Sequence, residues 1–155
     1  MKEAVHFSRS TNLGLQIVAE LSRQQAEASD STRLTAAGIS EALDASPTHV
    51  AKLISRLVDI GIVKSARGRS GGIHIVNGGL RCPLGQLIRH LEGQDFQVTR
   101  YIEPLTPKGS AQKKDHFRSI LTDAEEKFYA DLDKFTIADV LELNISGQHR
   151  MMKTP

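Results

Sequence analysis

Apolar residues recur along this chain mostly at helical spacing, and the places where that spacing breaks mark out its elements. Over residues 8–25, Leu13, Ile17 and Leu21 fall every fourth position, which predicts a first helix with one buried stripe. The polar run AEASDSTR, 26–33, reads as a loop. Thr35 then offers an N-cap, with Leu34 and Ile39 placed to form a hydrophobic staple, so a second helix should run through Leu43 and stop at Asp44-Ala45. The third helix has the clearest start: Ser46 as N-cap and Pro47 at N1, where a missing N–H costs nothing. Val50, Leu53, Ile54, Leu57 and Val58 commit one of its faces to a core. The opposite face shows Thr48, His49, Ala51, Lys52, Ser55, Arg56 and Asp59, and Gly61 is placed to end the helix as C′.

The period then changes. Two short β-prone runs, 62–65 and 73–76, bracket the glycine-rich connector ARGRSGG and predict a hairpin, closed by Asn77-Gly78-Gly79. Helical spacing returns at 84–91 with Leu84, Leu87, Ile88 and Leu91, followed by Gly93. Residues 94–112, with Pro104, Pro107 and Gly109, read as a linker or irregular loop. From about Lys113 to Asp133 a long amphipathic helix is expected, striped by Phe117, Ile120, Leu121, Ala124, Phe128 and Leu132. A short last helix should start at Thr136, an N-cap with Asp139 at N3, using Ile137, Val140 and Leu141, before a frayed tail at 146–155. The expected division is a winged helix-turn-helix domain over 1–93, a linker over 94–112, helices over 113–145 and the tail.

Charge sharpens this picture only when read locally. The 155 residues carry a net charge of +2, which says nothing about nucleic acid. Over 46–74, however, the bases are Lys52, Arg56, Lys64, Arg67 and Arg69, and Asp59 is the single acid. That excess is the electrostatic footprint expected for a polyanion. Beyond Lys113 the balance reverses, with Asp115, Asp123, Glu125, Glu126, Asp131, Asp133, Asp139 and Glu142. No apolar run reaches the ~18 residues of a membrane helix, and the start, MKEAVHFSRST, lacks a signal-peptide stretch, so a cytoplasmic location is expected. There is no nucleophile–base pairing, phosphate loop or paired carboxylate set, so the reading is not an enzyme.

A helix-turn-helix followed by a two-stranded wing has a mechanical meaning. The polar face of the third helix suits a major groove, and a wing tip bearing Arg67 and Arg69 beside glycines suits a phosphate or the narrow minor groove. The strings SPTHVAKLISRLVDIG, GIVKSARGRSGGIHI, LGQLIRHLEG and FTIADVLE together resemble the Rrf-two family of bacterial regulators over residues 6–143. The resemblance implies a mainly α fold: a winged helix-turn-helix DNA-binding domain with a two-stranded wing and a long C-terminal dimerisation helix, here 113–133. It directs Ser46, Thr48, Ala51 and Lys52 to the major groove, and Arg67, Arg69, Ser70 and Gly71 to the minor groove. His49 stands between contacting DNA and merely flanking the helix, and Arg56 joins Lys52, Lys64 and the wing arginines in phosphate neutralisation. The expected partners are therefore double-stranded DNA and a second copy of the chain, with no membrane and with room for an unknown small-molecule or redox effector. The strongest reading from another class is a winged-helix module that binds a protein through its third helix.

Sensing members of that family hold an iron–sulfur cluster on three cysteines between the fourth helix and the long helix. Here residues 94–118 offer Tyr101, Glu103, Asp115 and His116 but no cysteine, so the usual cluster is not expected. The one cysteine of the chain, Cys82, has three readings. It is a small core residue, a redox switch with Arg81 lowering its pKa, or half of a Cys-Pro haem dipeptide with His90 or His74. No metal site is expected, because the spacing of His116, Asp115 and Glu125 fits no ligand pattern.

Overall fold

In the computed structural model, residues 7–27, 34–68, 71–93 and 116–145 are described, with side chains to 142. Of the loop expected at 26–33, Ala26 and Glu27 instead continue the first helix, and 28–33 lie outside the described residues, as do the linker at 94–112, the tail, His6, Arg69, Ser70, Tyr101, Glu103 and Asp115. The described residues form six helices and one hairpin in the order α1 (Arg9–Glu27), α2 (Ala36–Ala42), α3 (Pro47–Asp59), β1 (Val63–Ala66), β2 (Gly72–Ile75), α4 (Leu84–Glu92), α5 (His116–Leu132) and α6 (Ile137–Ile145). A short 3₁₀ turn, Gly79–Arg81, leads into α4.

The core sits where α1, α3 and α4 meet the base of the hairpin. Ile17 and Leu21 of α1 join Ile39 of α2, Val50, Leu53, Ile54 and Leu57 of α3, and Leu87 and Leu91 of α4. Ile62, Val63, Ile73 and Ile75 close it from the sheet side. The predicted stripe of α3 holds except at Val58, which is 38% exposed. It lies about 100° around the helix from Leu57, past the edge of the covered face. The Leu34–Ile39 staple forms as expected, with both side chains buried.

Each capping site settles locally. Thr35 Oγ1 accepts from Gly38 N at 3.1 Å. Thr136 and Asp139 form a reciprocal box: Thr136 N donates to Asp139 Oδ2 at 2.7 Å, and Asp139 N donates to Thr136 Oγ1 at 3.2 Å. The Thr136 N–H, and then the Thr136 hydroxyl that donates to the same Oδ2 at 2.8 Å, hold the Asp139 carboxyl below its usual range. Ser46 behaves differently: it occupies the N-cap of α3, but its hydroxyl makes no capping bond. Its backbone (φ −61°, ψ 125°) is less extended than that of Thr35 (φ −126°, ψ 156°), so its side chain is not carried over the first turn in the same way.

α5 packs on α4 through a feature the apolar stripe did not reveal. Tyr129, 2% exposed, stacks against the Arg89 guanidinium at 4.2 Å and edge-on to Phe128 at 5.3 Å. Arg89 also grips Glu126 with two bonds, at 3.0 and 3.2 Å. The predicted stripe lies largely outside this contact: Phe117 and Ile120 are 39% and 64% exposed, Ala124 is exposed, and Leu121, Phe128 and Leu132 are half-buried. No helix among the described residues is long and apolar enough to cross a membrane.

Candidate nucleic-acid interface

α2 and α3 are joined by a tight turn at residues 43–46. Asp44 there adopts a left-handed conformation (φ 48°), and Ala45 N donates to Ser40 O at 3.0 Å. This turn and the core stripe present α3 with Thr48, Ala51, Lys52 and Ser55 exposed at i, i+3, i+4 and i+7. Ser46, at the head of the same helix, is exposed as well. Its hydroxyl is unbonded among the described residues, beside the orphan N–H groups of the first turn.

Two side chains of the polar face point elsewhere. His49 is half-buried and shares a 3.1 Å hydrogen bond with Ser10 Oγ of α1, so it braces the start of α3. Arg56 is half-buried too, and its Nη1 donates to the Leu91 carbonyl of α4 at 2.8 Å. Sequence periodicity sees only that both residues lie opposite the core stripe. It cannot see that α1 and α4 reach around to meet them.

The wing pairs β1 and β2 antiparallel, Val63 with Ile75, Lys64 with His74, Ser65 with Ile73 and Ala66 with Gly72. It is anchored from below, since Ile73 N donates to Leu34 O and Ile75 N to Gln25 Oε1, both at 2.9 Å. Past Val63 every β1 residue is exposed, as is Arg67. Lys64 and Arg67 have no ion-pair partner among the described residues, so both charges are free to meet an anion. Gly68 (φ 102°) and a 3.1 Å bond from Gly71 N to Gly68 O close the tip. A Cβ on Gly71 would stand 2.2 Å from Ala66 O, so the tip's own closure demands glycine there.

Cys82 lies away from this surface. Its half-buried thiol donates to Pro83 O at 3.6 Å, and its carbonyl accepts from Ile137 N at 3.1 Å. With the Pro83–Thr136 bridge and Leu84 N bonded to Phe135 O at 2.8 Å, this segment ties the start of α4 to the α5–α6 turn. Burial, and then the nearby Asp133 carboxylate, pushes the Cys82 thiol up.

This fold and surface have known counterparts. The family described as Rrf2, iron-dependent transcriptional regulator, matches residues 7–143. The chain belongs to the Rrf-two family. Over 103 residues, 66% of this chain and 68% of the relative, this Rrf-two regulator is 37% identical to the HTH-type transcriptional repressor NsrR of Streptomyces coelicolor. Its fold is similar to that of T. potens IscR, with a TM-score of 0.63 and 20% identity, covering 98% of this chain and 95% of that one. It is also similar to CymR, the global cysteine regulator of B. subtilis, with a TM-score of 0.56 and 23% identity over 89% and 97% of the two chains. Among the described residues of this Rrf-two chain, no three His, Cys, Asp or Glu side chains gather to bind a metal.

Proposed function

We propose that this Rrf-two regulator is a dimeric, sequence-specific repressor that lays α3 in the major groove and its wing in the adjacent minor groove. The observation that carries the reading is the shared exposure of Thr48, Ala51, Lys52 and Ser55 on α3 with Lys64 and Arg67 on the wing. Lys52, Lys64 and Arg67 supply counterion release and affinity; Thr48, Ala51 and Lys52 lie where base edges would be read. Small Ala51 permits close approach, and Ser46 with the first-turn N–H groups suits a phosphate. The exposed apolar side chains of α5, Phe117 and Ile120, mark the surface expected to meet a second copy. A protein acting on promoters in this way works in the cytoplasm.

The donor set argues against the cofactors of sensing relatives. A cluster needs several thiolate or equivalent ligands, and the chain has one cysteine. Haem on Cys82 would need a thiolate that burial disfavours, and His90 Nε2 is already engaged by the Arg56 carbonyl. We therefore read Cys82 as a structural residue and the regulator as one working without cluster, haem or metal.

The test uses Arg67→Ala and Lys52→Ala on a duplex that the wild type selects from random-sequence DNA. Arg67→Ala should cost about 1–3 kcal/mol and relax discrimination at A·T positions under the wing. Lys52→Ala should weaken binding and lower the salt slope by about 1. Two variants indistinguishable from wild type would remove this surface from DNA, and would favour a protein partner for α3.

A further inference from the structure

We infer that Arg56 and His90 form a positioning pair that sets the angle of the recognition helix, Arg56 acting on DNA specificity through α4 and not by touching a phosphate. This rests on the reading above that α3 is the helix that reads DNA.

The C-terminal ends of α3 and α4 lie side by side and cap each other. Leu91 is in the last turn of α4, where carbonyls lack intrahelical partners and a cation suits the helix dipole. Arg56 supplies that cation, its Nη1 donating to Leu91 O at 2.8 Å. In return, His90 Nε2 of α4 lies 3.0 Å from the carbonyl oxygen of Arg56. A carbonyl only accepts, so that nitrogen carries the proton. The same Arg56 carbonyl accepts from Ile60 N at 3.3 Å, in the cap that ends α3.

The geometry separates Arg56 from the other bases of the basic segment. Lys52, Lys64 and Arg67 are exposed, whereas Arg56 is half-buried with its Nη1 turned to the Leu91 carbonyl. Beneath the clasp, Leu57 and Leu91 are both fully buried, so the two helix ends cannot slide without disturbing the core. At the opposite end of α3, His49 is bonded to Ser10 at 3.1 Å. The helix is thus braced near both ends by side chains that face the body. The stripe between them is left for DNA. An angular error in α3 would displace every base contact on that stripe while leaving the wing charges, Lys64 and Arg67, in place. Specific binding should suffer, and non-specific binding should not.

The experiment measures fluorescence anisotropy with a duplex enriched by the wild type from a random-sequence pool, beside a scrambled duplex, across salt. The proteins are wild type, Arg56→Ala, His90→Ala, the double variant, and Lys64→Ala as the phosphate control. Arg56→Ala and His90→Ala should each weaken the enriched duplex about tenfold, the scale of one lost hydrogen bond. Both should leave the scrambled duplex and the salt slope unchanged, and the double variant should lose little beyond the worse single one. Lys64→Ala should lower the slope by about 1. If Arg56→Ala lowers the slope by about 1 and weakens both duplexes alike, Arg56 is a phosphate contact and the inference fails. Fully additive losses, or wild-type behaviour from both single variants, would overturn it too. Should Arg56→Ala not fold, the exposed His90→Ala decides by the same criteria, with Arg56→Lys expected to keep near-wild-type preference. A pool that yields no preferred duplex with the wild type would refute the DNA reading itself. An enriched duplex bound equally by wild type and by the Arg56 and His90 variants, while the phosphate control loses affinity, would refute only this pairing.

Discussion

Gly85→Ala separates the packing described here from helix propensity by sign. In an ordinary helix, replacing glycine by alanine stabilises by about 0.5–1 kcal/mol. At Gly85 the new Cβ would stand 2.5 Å from the Tyr129 carbonyl oxygen and 2.6 Å from Asp133 Oδ1. Since non-bonded atoms settle at about 3.5 Å, the end of α5 must retreat from α4 by about 1 Å. Such overpacking costs about 1–3 kcal/mol. Asp133 Oδ1 also accepts from Gln86 N at 2.9 Å, a cap for α4 that Pro83 at the N-cap position does not supply. Losing that bond costs about 1 kcal/mol more. Clash and cap together outweigh the propensity gain, leaving a net loss of about 2 kcal/mol and a fall in Tm of about 4–8 °C for a chain of this size. Thermal unfolding at fixed protein concentration would measure it, because association itself raises Tm. Gly38→Ala is the matched control: it is exposed in α2, its Cβ meeting only Thr35 Oγ1 at 3.4 Å, and should raise Tm. A Gly85→Ala protein as stable as the wild type or more so would refute the close approach of α4 and α5.

Three further outcomes follow from single sites. Ser40 is 3% exposed and its Oγ has no partner among the described residues, so Ser40→Ala should stabilise by about 1 kcal/mol in chemical denaturation; a loss would mean the hydroxyl is satisfied. The Asp139 carboxyl is held low by Thr136, so its stabilising effect is present above the unfolded pKa of about 4 and is lost as pH falls through the folded value. Asp139→Asn should therefore be less stable than wild type at neutral pH, with the gap closing towards pH about 3; a gap independent of pH would exclude the box. Because burial and Asp133 raise the Cys82 pKa, iodoacetamide should label the native thiol far more slowly than the denatured one, and Cys82→Ala should bind DNA within about twofold of wild type. Peroxide that abolishes DNA binding of the wild type but not of Cys82→Ala would make the thiol a switch after all.

The helices, the turn between α2 and α3, and the hairpin were legible because each is written in adjacent residues: Thr35 with Gly38, Pro47 at the head of α3, and glycines at 61, 68 and 71. What the sequence hid depends on partners far along the chain. Arg56 and His90 are 34 positions apart, and the stripe of α3 alone places Arg56 among the DNA-facing bases. The α5 stripe had the same blind spot: it named Phe117 and Phe128 but missed Tyr129, whose burial needs Arg89 of α4. Ser46 shows the reverse case, in which a residue of the right type sits at the right position and a less extended backbone leaves its hydroxyl unbonded.

The most direct test of the DNA reading is fluorescence anisotropy of the purified protein on the DNA upstream of its own gene, against scrambled competitor and across salt. A DNA-reading α3 requires tight binding that prefers the upstream duplex and weakens steeply as salt rises. Absence of binding to either duplex even at low salt would contradict it, and would move α3 to a protein partner.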